Sequence, residues 1–491
     1  MNTKFESNGL LEPVESNIVL EEITCTELAE QMPKKGDLLE KKAHKMKHIL
    51  YILKKSYFKD SEFHNKDNVI NIIVLLCKLM FPIEELVRYD TLETIPKEVK
   101  ETHYSFINTC LQCLEILMSF FTFLATNSQI NDKITQALAT YQIKTDPWTS
   151  EDNYNISLRI LETWKNDLIS KKVLIRILTD YVRPYFSFHK DKYAFTDYKR
   201  LGNEKTVYRR YENIYAALED SKTEPWKTEK PECASIFEWV LSVSQKEIIE
   251  SHFFLIIPPI VILLEDTNPN FKLRSTRCLH HLLSKCDSMF VKRTGIGNLF
   301  WEQLIQCLSY HPPSIHITIS IPLLRTSFNN LIMLALLMEP ESRNQRGKLY
   351  DKIVYAGVFN GMLYSGEQPD MTLLFMEYTR KLVDVMGIYA TKHIKMLIPL
   401  VSSVLENSFQ PNHPYQLVEA SKALKTIICV CWPRISPHHP TILKGSVISK
   451  VKQELIYCIK ALKKIMGTTL DKDFQALMNA DANLVSFFND I

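Results

Sequence analysis

Glycine is scarce in this chain. Twelve occur in 491 residues, roughly a third of the usual share of about 7 %. Glycine supplies tight turns and positive φ angles. Its scarcity argues against an α/β or all-β fold full of tight turns, and against glycine-cradled nucleotide sites. An excess of either charge is also missing. Fifty-nine basic residues against 56 acidic ones leave a net charge of +3, which implies no general pull toward nucleic acid. No apolar run reaches the roughly 20 uninterrupted residues of a membrane span. The run 253–264 is short and carries Pro258 and Pro259. The stretch 107–125 holds Asn108, Gln112 and Glu115, and 317–338 is interrupted by Arg325, Asn329 and Asn330. All three read as buried helices. Residues 1–25 are acidic and lack the 7–15-residue apolar core of a secretory signal. The 11 cysteines are odd in number and scattered. Free thiols in a reducing intracellular compartment are therefore expected.

What is present is helical spacing. The stretch 253–283 reads as two short helices joined by the polar turn Glu265-Asp266-Thr267-Asn268-Pro269-Asn270. Lys272 and Arg274 open the second helix. Leu279, Leu282, Leu283, Cys286 and Phe290 then continue one apolar stripe. An aspartate in the turn and a basic residue early in the second helix is the look of a HEAT-type hairpin. Such a hairpin cannot bury its apolar face alone and must stack on copies of itself. An echo lies downstream. Ile398-Pro399 answers Ile257-Pro258, Leu405 answers Leu264, and a turn near 410–414 precedes a stripe of Leu417, Ala420, Leu424, Ile427, Ile428 and Cys431. The offset of 141 residues is about three periods of roughly 40–47 residues.

The spacing predicts an all-α, HEAT-like α-solenoid of roughly eight to ten stacked helical hairpins. Residues 1–40 form an acidic tail, and 41–186 an N-terminal helical region. Residues 187–232 form a polar and aromatic insert, and 233–491 C-terminal helical repeats. Within these, 41–58 is a basic amphipathic helix whose apolar face holds Met46, Ile49, Leu50, Leu53 and Tyr57. Helices follow at about 68–81, 102–126 and 156–185, with a loop at 142–154 and one helix near 209–218. A further amphipathic helix at 451–466 carries a basic face.

Several motifs have a chemical and a structural reading. Cys110-x-x-Cys113 has redox or half-zinc spacing, but it lies inside a helical stripe with no second such pair. It reads as a buried face. Cys429, Cys431, His438 and His439 have zinc-ligand types, yet Cys431 completes an apolar stripe and the histidines fall in a proline-bounded loop. Gly295-Ile-Gly297 lacks the third glycine and the leading strand of a dinucleotide fingerprint. It fits a helix end followed by a helix start, with Asn298 near the N-cap. The stretch 190–211 interleaves basic and aromatic residues, a pattern suited to a single strand of nucleic acid and equally to a loop docked on protein. The basic face of 41–55 suits an acidic partner or an anionic membrane, and that of 451–466 an acidic partner, with a solvated surface as the default for both. No catalytic residue, metal ligand set or cofactor site is expected.

The central region resembles the Tel-Two-Interacting protein two family. Glu224-Pro225-Trp226-Lys227 followed by Trp239 is similar to that family's tryptophan-bearing lead-in. Pro258-Pro259-Ile260-Val261-Ile262-Leu263-Leu264-Glu265-Asp266 resembles its Pro-Pro…Leu-Leu-Asp-Asp helix end. Gly295-Ile-Gly297-Asn298-Leu299-Phe300 resembles its Gly-Leu-Gly segment, and Leu308-Ser-Tyr310-His-Pro312 its Leu-x-Tyr-x-Pro segment. Glu265 departs from the first aspartate, and Ile262 stands where threonine is common. With looser similarity counted, the likeness runs from about 164 to 432.

The resemblance implies a non-catalytic HEAT-like scaffold in the Triple-T co-chaperone complex, found in cytoplasm and nucleus. It implies as partners the two other Triple-T subunits, the ninety-kilodalton heat-shock chaperone with its adaptors, and phosphatidylinositol-kinase-related kinases as clients. No cofactor, direct nucleic acid or membrane is implied. Trp226, Trp239, Pro258, Pro259, Asp266, Gly295 and Gly297 are the candidates for shaping hairpins or meeting a partner. A repeat adaptor for nuclear transport or nucleic-acid assemblies is the alternative.

Overall fold

Three- and four-residue apolar spacing becomes helix throughout the computed structural model, and no strand occurs among the described residues. Those are residues 25–34, 36–55, 66–87, 95–120, 128–186, 224–406, 414–448 and 452–480. The start of the expected tail, the helix near 209–218, the basic–aromatic stretch 190–211 and most of the 410–414 turn lie outside them. The chain divides into two compact units, residues 1–240 and 241–491.

The first unit contains α1 (Cys25–Gln31), α2 (Leu39–Lys55), α3 (Lys66–Leu79), α4 (Lys97–Phe120), α5 (Ser128–Ala139) and α6 (Glu151–Thr163). Each packs on the helix two places along, which makes two ranks: α2, α4 and α6 in one, α1, α3 and α5 in the other. On α2, Met46, Ile49 and Leu53 are buried and Leu50 is half-buried, as the stripe requires. The α5–α6 corner is tied through side chains. Trp148 Nε1 donates to the Thr140 carbonyl at 3.1 Å, and the Tyr104 hydroxyl to that of Pro147 at 2.9 Å. Asn153 Nδ2 donates to the Tyr104 carbonyl at 3.2 Å. The expected loop ends early, because Ser150 accepts from the Asn153 N–H and starts α6.

The expected single helix 156–185 is broken. Trp164 caps α6, a short turn Lys165–Leu168 follows, and Ser170 starts α7. Helix α7 spans 171–186 and widens to a π-turn over Ile177–Val182. The widened turn lies just before Pro184, which has no N–H for the carbonyl of residue 180 and crowds it. Helix α8 (Glu232–Val243) contains the boundary between the units.

The second unit opens with α9 (Lys246–Ser251), then α10 (Phe253–Glu265) and α11 (Pro269–Leu283). Next come α12 (Ser288–Thr294), α13 (Ile296–Cys307) and α14 (Ile317–Met338). Helix α15 covers 343–365, with a π-turn over Val354–Phe359, and α16 covers Pro369–Met386. Then follow α17 (Ile394–Glu406), α18 (Pro414–Val430), α19 (His439–Ile448), α20 (Lys452–Met466) and α21 (Thr469–Ala480). Five hairpins stack: α10/α11, α13/α14, α15/α16, α17/α18 and α19/α20. Their second helices pack in succession, α11 on α14, α14 on α16, α16 on α18 and α18 on α20. The first helices start at residues 253, 296, 343, 394 and 439, near the roughly 40–47-residue period of such repeats. The apolar stripe of α11 is shorter than expected. Helix α11 ends at Leu283, Cys286 lies in the connector, and Phe290 belongs to α12, because Asp287 accepts from the Phe290 N–H and starts a new helix.

Helix α14 is long and apolar enough to cross a membrane by length and composition. It is a core helix of the stack, in contact with α11, α13, α15 and α16. Arg325 and Asn330 on it are engaged by neighbouring helices.

Candidate functional site

The α10–α11 turn is built from its own polar side chains. Asp266 accepts from the Asn268 N–H at 2.7 Å, and Asn268 Oδ1 accepts from the Asn270 N–H at 2.9 Å. Pro269 takes the first helical position, where a missing N–H costs nothing. Lys272, one turn into α11, reaches back. Its Nζ donates to the Leu264 carbonyl at 2.6 Å and stands 5.6 Å from the Tyr310 ring centroid. Burial holds the Lys272 ammonium below its ordinary pKa. Gln303 of α13 donates to Glu265 at 3.2 Å. Two motif segments distant in sequence, Glu265-Asp266 and Tyr310, therefore gather at one end of the first two hairpins of the second unit. Pro258 is half-buried and Pro259 buried inside α10. The Ser275 hydroxyl donates to the Ile260 carbonyl at 2.6 Å, which ties the proline-bearing turn to α11.

The glycine pair has two separate jobs. Gly295 has φ +71° and its N–H closes α12 on the Val291 carbonyl. That left-handed residue ends α12 and starts α13 with nothing between them, so the N-cap is Gly295 itself. Asn298, expected near the cap, is the third residue of α13. A Cβ at Gly297 would stand 2.7 Å from Met338 Cγ. This is where α13 closes on the end of α14.

Trp226 and Trp239 belong to the first unit and are buried. Trp226 stacks on Phe186 with centroids 5.4 Å apart and planes at 11°. The Tyr181 hydroxyl donates to Glu232 at 2.8 Å, and Lys230 pairs with the same carboxylate at 3.4 Å. The Ser235 hydroxyl donates to Asp146 at 2.5 Å. The polar links bind α8 to α7 and to the α5–α6 corner, while the Trp226 stack holds the segment before α8 on the end of α7.

Cys429 is exposed, whereas the other described thiols are buried. Cys110 and Cys113 are buried on α4, where burial pushes Cys113 up to about 12 and Cys110 well above its ordinary value. Cys431 is buried and pushed up to about 11. His439 Nδ1 lies 2.7 Å from the Ser436 carbonyl, and its Nε2 3.1 Å from Asp473. Among the described residues no group of three or more His, Cys, Asp or Glu is placed to hold a metal ion.

A polar seam between second helices is absent from the candidates read in the sequence. Thr276 of α11 and Thr326 of α14 share a hydrogen bond of 2.8 Å. Asn330 Nδ2 donates to the Thr276 carbonyl at 2.7 Å, and its Oδ1 lies 3.1 Å from His280 Nδ1. The Tyr378 hydroxyl of α16 donates to the Arg325 carbonyl at 2.9 Å. The signal was the Asn329-Asn330 pair, noted only as an interruption of an apolar helix. Asn330 is buried and Asn329 half-buried, and a buried amide in a core helix requires a partner.

The sequence model of the Tti2 family matches residues 134–412. The TELO2-interacting protein 2 of Mus musculus is 22 % identical over 248 residues, covering 50 % of this chain and 46 % of its own. That of Homo sapiens is 24 % identical over 231 residues, covering 46 % of this chain and 43 % of its own. The chain thus spans less than half the length of these curated relatives. Two solved structures align along most of the chain. A crystallised engineered protein does so with TM-score 0.38 and 10 % identity, covering 95 % of this chain and 97 % of its own. Kap95p, from a study of its binding to RanGDP, does so with TM-score 0.34 and 9 % identity, covering 92 % and 74 %.

Proposed function

The chain belongs to the Tti2 family, and on that premise we propose that it is a non-catalytic scaffold subunit of the Triple-T co-chaperone complex. In this reading it binds the two other Triple-T subunits. With the ninety-kilodalton heat-shock chaperone and its adaptors, it supports folding, stability and assembly of phosphatidylinositol-kinase-related kinases, in cytoplasm and nucleus. The observation that carries the reading is the family match across 134–412. That span takes in the Trp226 stack, the Asp266 turn, the Gly295 junction and the polar seam. The name of the matched relatives, TELO2-interacting protein 2, supports it. A scaffold also suits residues that shape turns and pack helices, since stacked hairpins offer long faces for protein contact.

The test is affinity purification of the tagged native protein, with partners identified by mass spectrometry. Near-stoichiometric recovery of the two other subunits, with large kinases and chaperone adaptors below them, is the expected result. Recovery of neither subunit sinks the reading and leaves a helical scaffold of another kind.

A further inference from the structure

A ladder of charge crosses the second helices of the later hairpins in the second unit. Arg325 of α14 meets Glu377 of α16 at 2.7 Å, and Lys381 holds the same carboxylate at 2.7 Å. Arg380 meets Glu419 of α18 at 2.7 Å, with Lys422 at 3.4 Å from it. Lys425 stands 4.7 Å from the Tyr457 ring centroid of α20. Lys460 and Lys464 follow Tyr457 at three and seven residues, which places them on its face of the helix, and both are exposed.

The ladder is lopsided. The side chains of Glu377 and Glu419 are 20 % and 13 % exposed, while the four cations on them are 37–44 % exposed. The acids are sunk and the bases raised. Asp384, one turn beyond Arg380, and Asp370, two turns before Glu377, add two exposed carboxylates. Seven cations therefore face four carboxylates among the named side chains, so this one face carries an excess as large as the +3 of the whole chain. Such a face concentrates positive potential although the bulk charge is near zero.

We propose that this face binds an acidic, extended polypeptide segment of a partner protein, with carboxylates at about every third residue. The spacing follows from packing. Neighbouring helices lie about 8–10 Å apart, and an extended chain in the polyproline-II form rises about 3.1 Å per residue with three residues per turn, so every third side chain shares a face. Three residues thus carry one carboxylate from the cations of one helix to those of the next. A nucleic acid presents an unbroken line of phosphates, which would run over Glu377, Glu419 and Asp384. A peptide sets neutral residues there. The inference does not depend on the Triple-T reading.

The test uses the full chain and a fluorescein-labelled peptide with glutamate at every third position, followed by anisotropy at low salt. The expected result is saturable binding, at least tenfold weaker in the Lys425→Glu/Lys460→Glu variant and absent for the matching glutamine peptide. Helical content and melting temperature check that the variant folds. Should it not fold, Lys460→Glu/Lys464→Glu on the exposed side of α20 replaces it, with a loss of at least threefold expected. Three results overturn the proposal: no binding of the glutamate peptide, equal binding by a folded variant, or tighter binding of a single-stranded uridine oligonucleotide of the same charge.

Discussion

Lys272 joins two pieces of structure with one ammonium. It satisfies the last turn of α10 through the Leu264 carbonyl and covers the Tyr310 ring. Burial works against its charge, so the carbonyl and the ring must offset the lost hydration. Lys272→Met keeps the stem and removes both contacts. It is expected to lose about 1–2 kcal/mol of stability, read as a lower urea midpoint with unchanged slope. An unchanged midpoint would show that the turn holds without the lysine. Histidine gives the pH dependence. His103 is fully buried on α4, and neither ring nitrogen has a hydrogen-bond partner among the described residues. Burial pushes its pKa down to about 3, and burial with the Lys285 charge beside it pushes His281 down to about 4. Both pKa values are depressed on folding, so the unfolded chain binds the proton first. Stability is then full above about pH 6.5 and falls as pH drops toward 4, by up to about 1.4 kcal/mol per pH unit for each histidine. Denaturation midpoints at pH 7 and pH 5 measure it. His103→Leu should flatten the slope without loss at pH 7. A slope as steep as that of the wild-type chain would assign the acid sensitivity elsewhere.

At the scale of elements, scarce glycine turns out to be spent where helices touch. A Cβ at Gly357 of α15 would stand 2.4 Å from the Phe328 ring of α14, and one at Gly361 would stand 2.4 Å from the Phe375 ring of α16. Four residues apart on one helix, these glycines let a first-rank helix close on two second-rank rings. Gly361→Ala is expected to cost about 1–3 kcal/mol, because a buried ring cannot step aside as a flexible chain end can. Gly36→Ala, with nothing within 4 Å of the added methyl, serves as the neutral control. Equal midpoints for the two variants would refute the close-contact argument. Composition foretold that glycine would be rare, and Gly295 could be read as a helix junction from its neighbours. The roles of Gly357 and Gly361 were not legible, because the rings they meet lie 29 and 14 residues away in sequence. The break after Leu283 was hidden for a related reason. Cys286 and Phe290 keep the apolar period across it, and only the cap at Asp287 interrupts the helix.

At the scale of the whole molecule, period was readable and register was not. The 141-residue echo between Ile257-Pro258 and Ile398-Pro399 is the distance from α10 to α17, three hairpins along the stack. Any one of those hairpins alone was ambiguous; their recurrence was what carried the fold. The polar seam of Thr276, Asn330 and His280 sets how α11 slides along α14. That depends on which helix lies opposite, a fact no local pattern encodes. The candidate turn was half legible for the same reason: Asp266 and Asn268 act within their own turn, but Lys272 acts on Tyr310 from another hairpin. A stack in which each hairpin leans on its neighbours should unfold by neighbourhood, with stability close to a sum of local and nearest-neighbour terms. Gly361→Ala is therefore expected to speed amide exchange in α15 and α16, less in α14 and α18, and to leave α4 to α6 as protected as before. Hydrogen exchange read by mass spectrometry resolves these segments. Faster exchange spread evenly over α4 to α6 as well would mean that strain at one glycine is shared by the entire chain, and that the stack unfolds as a single cooperative body.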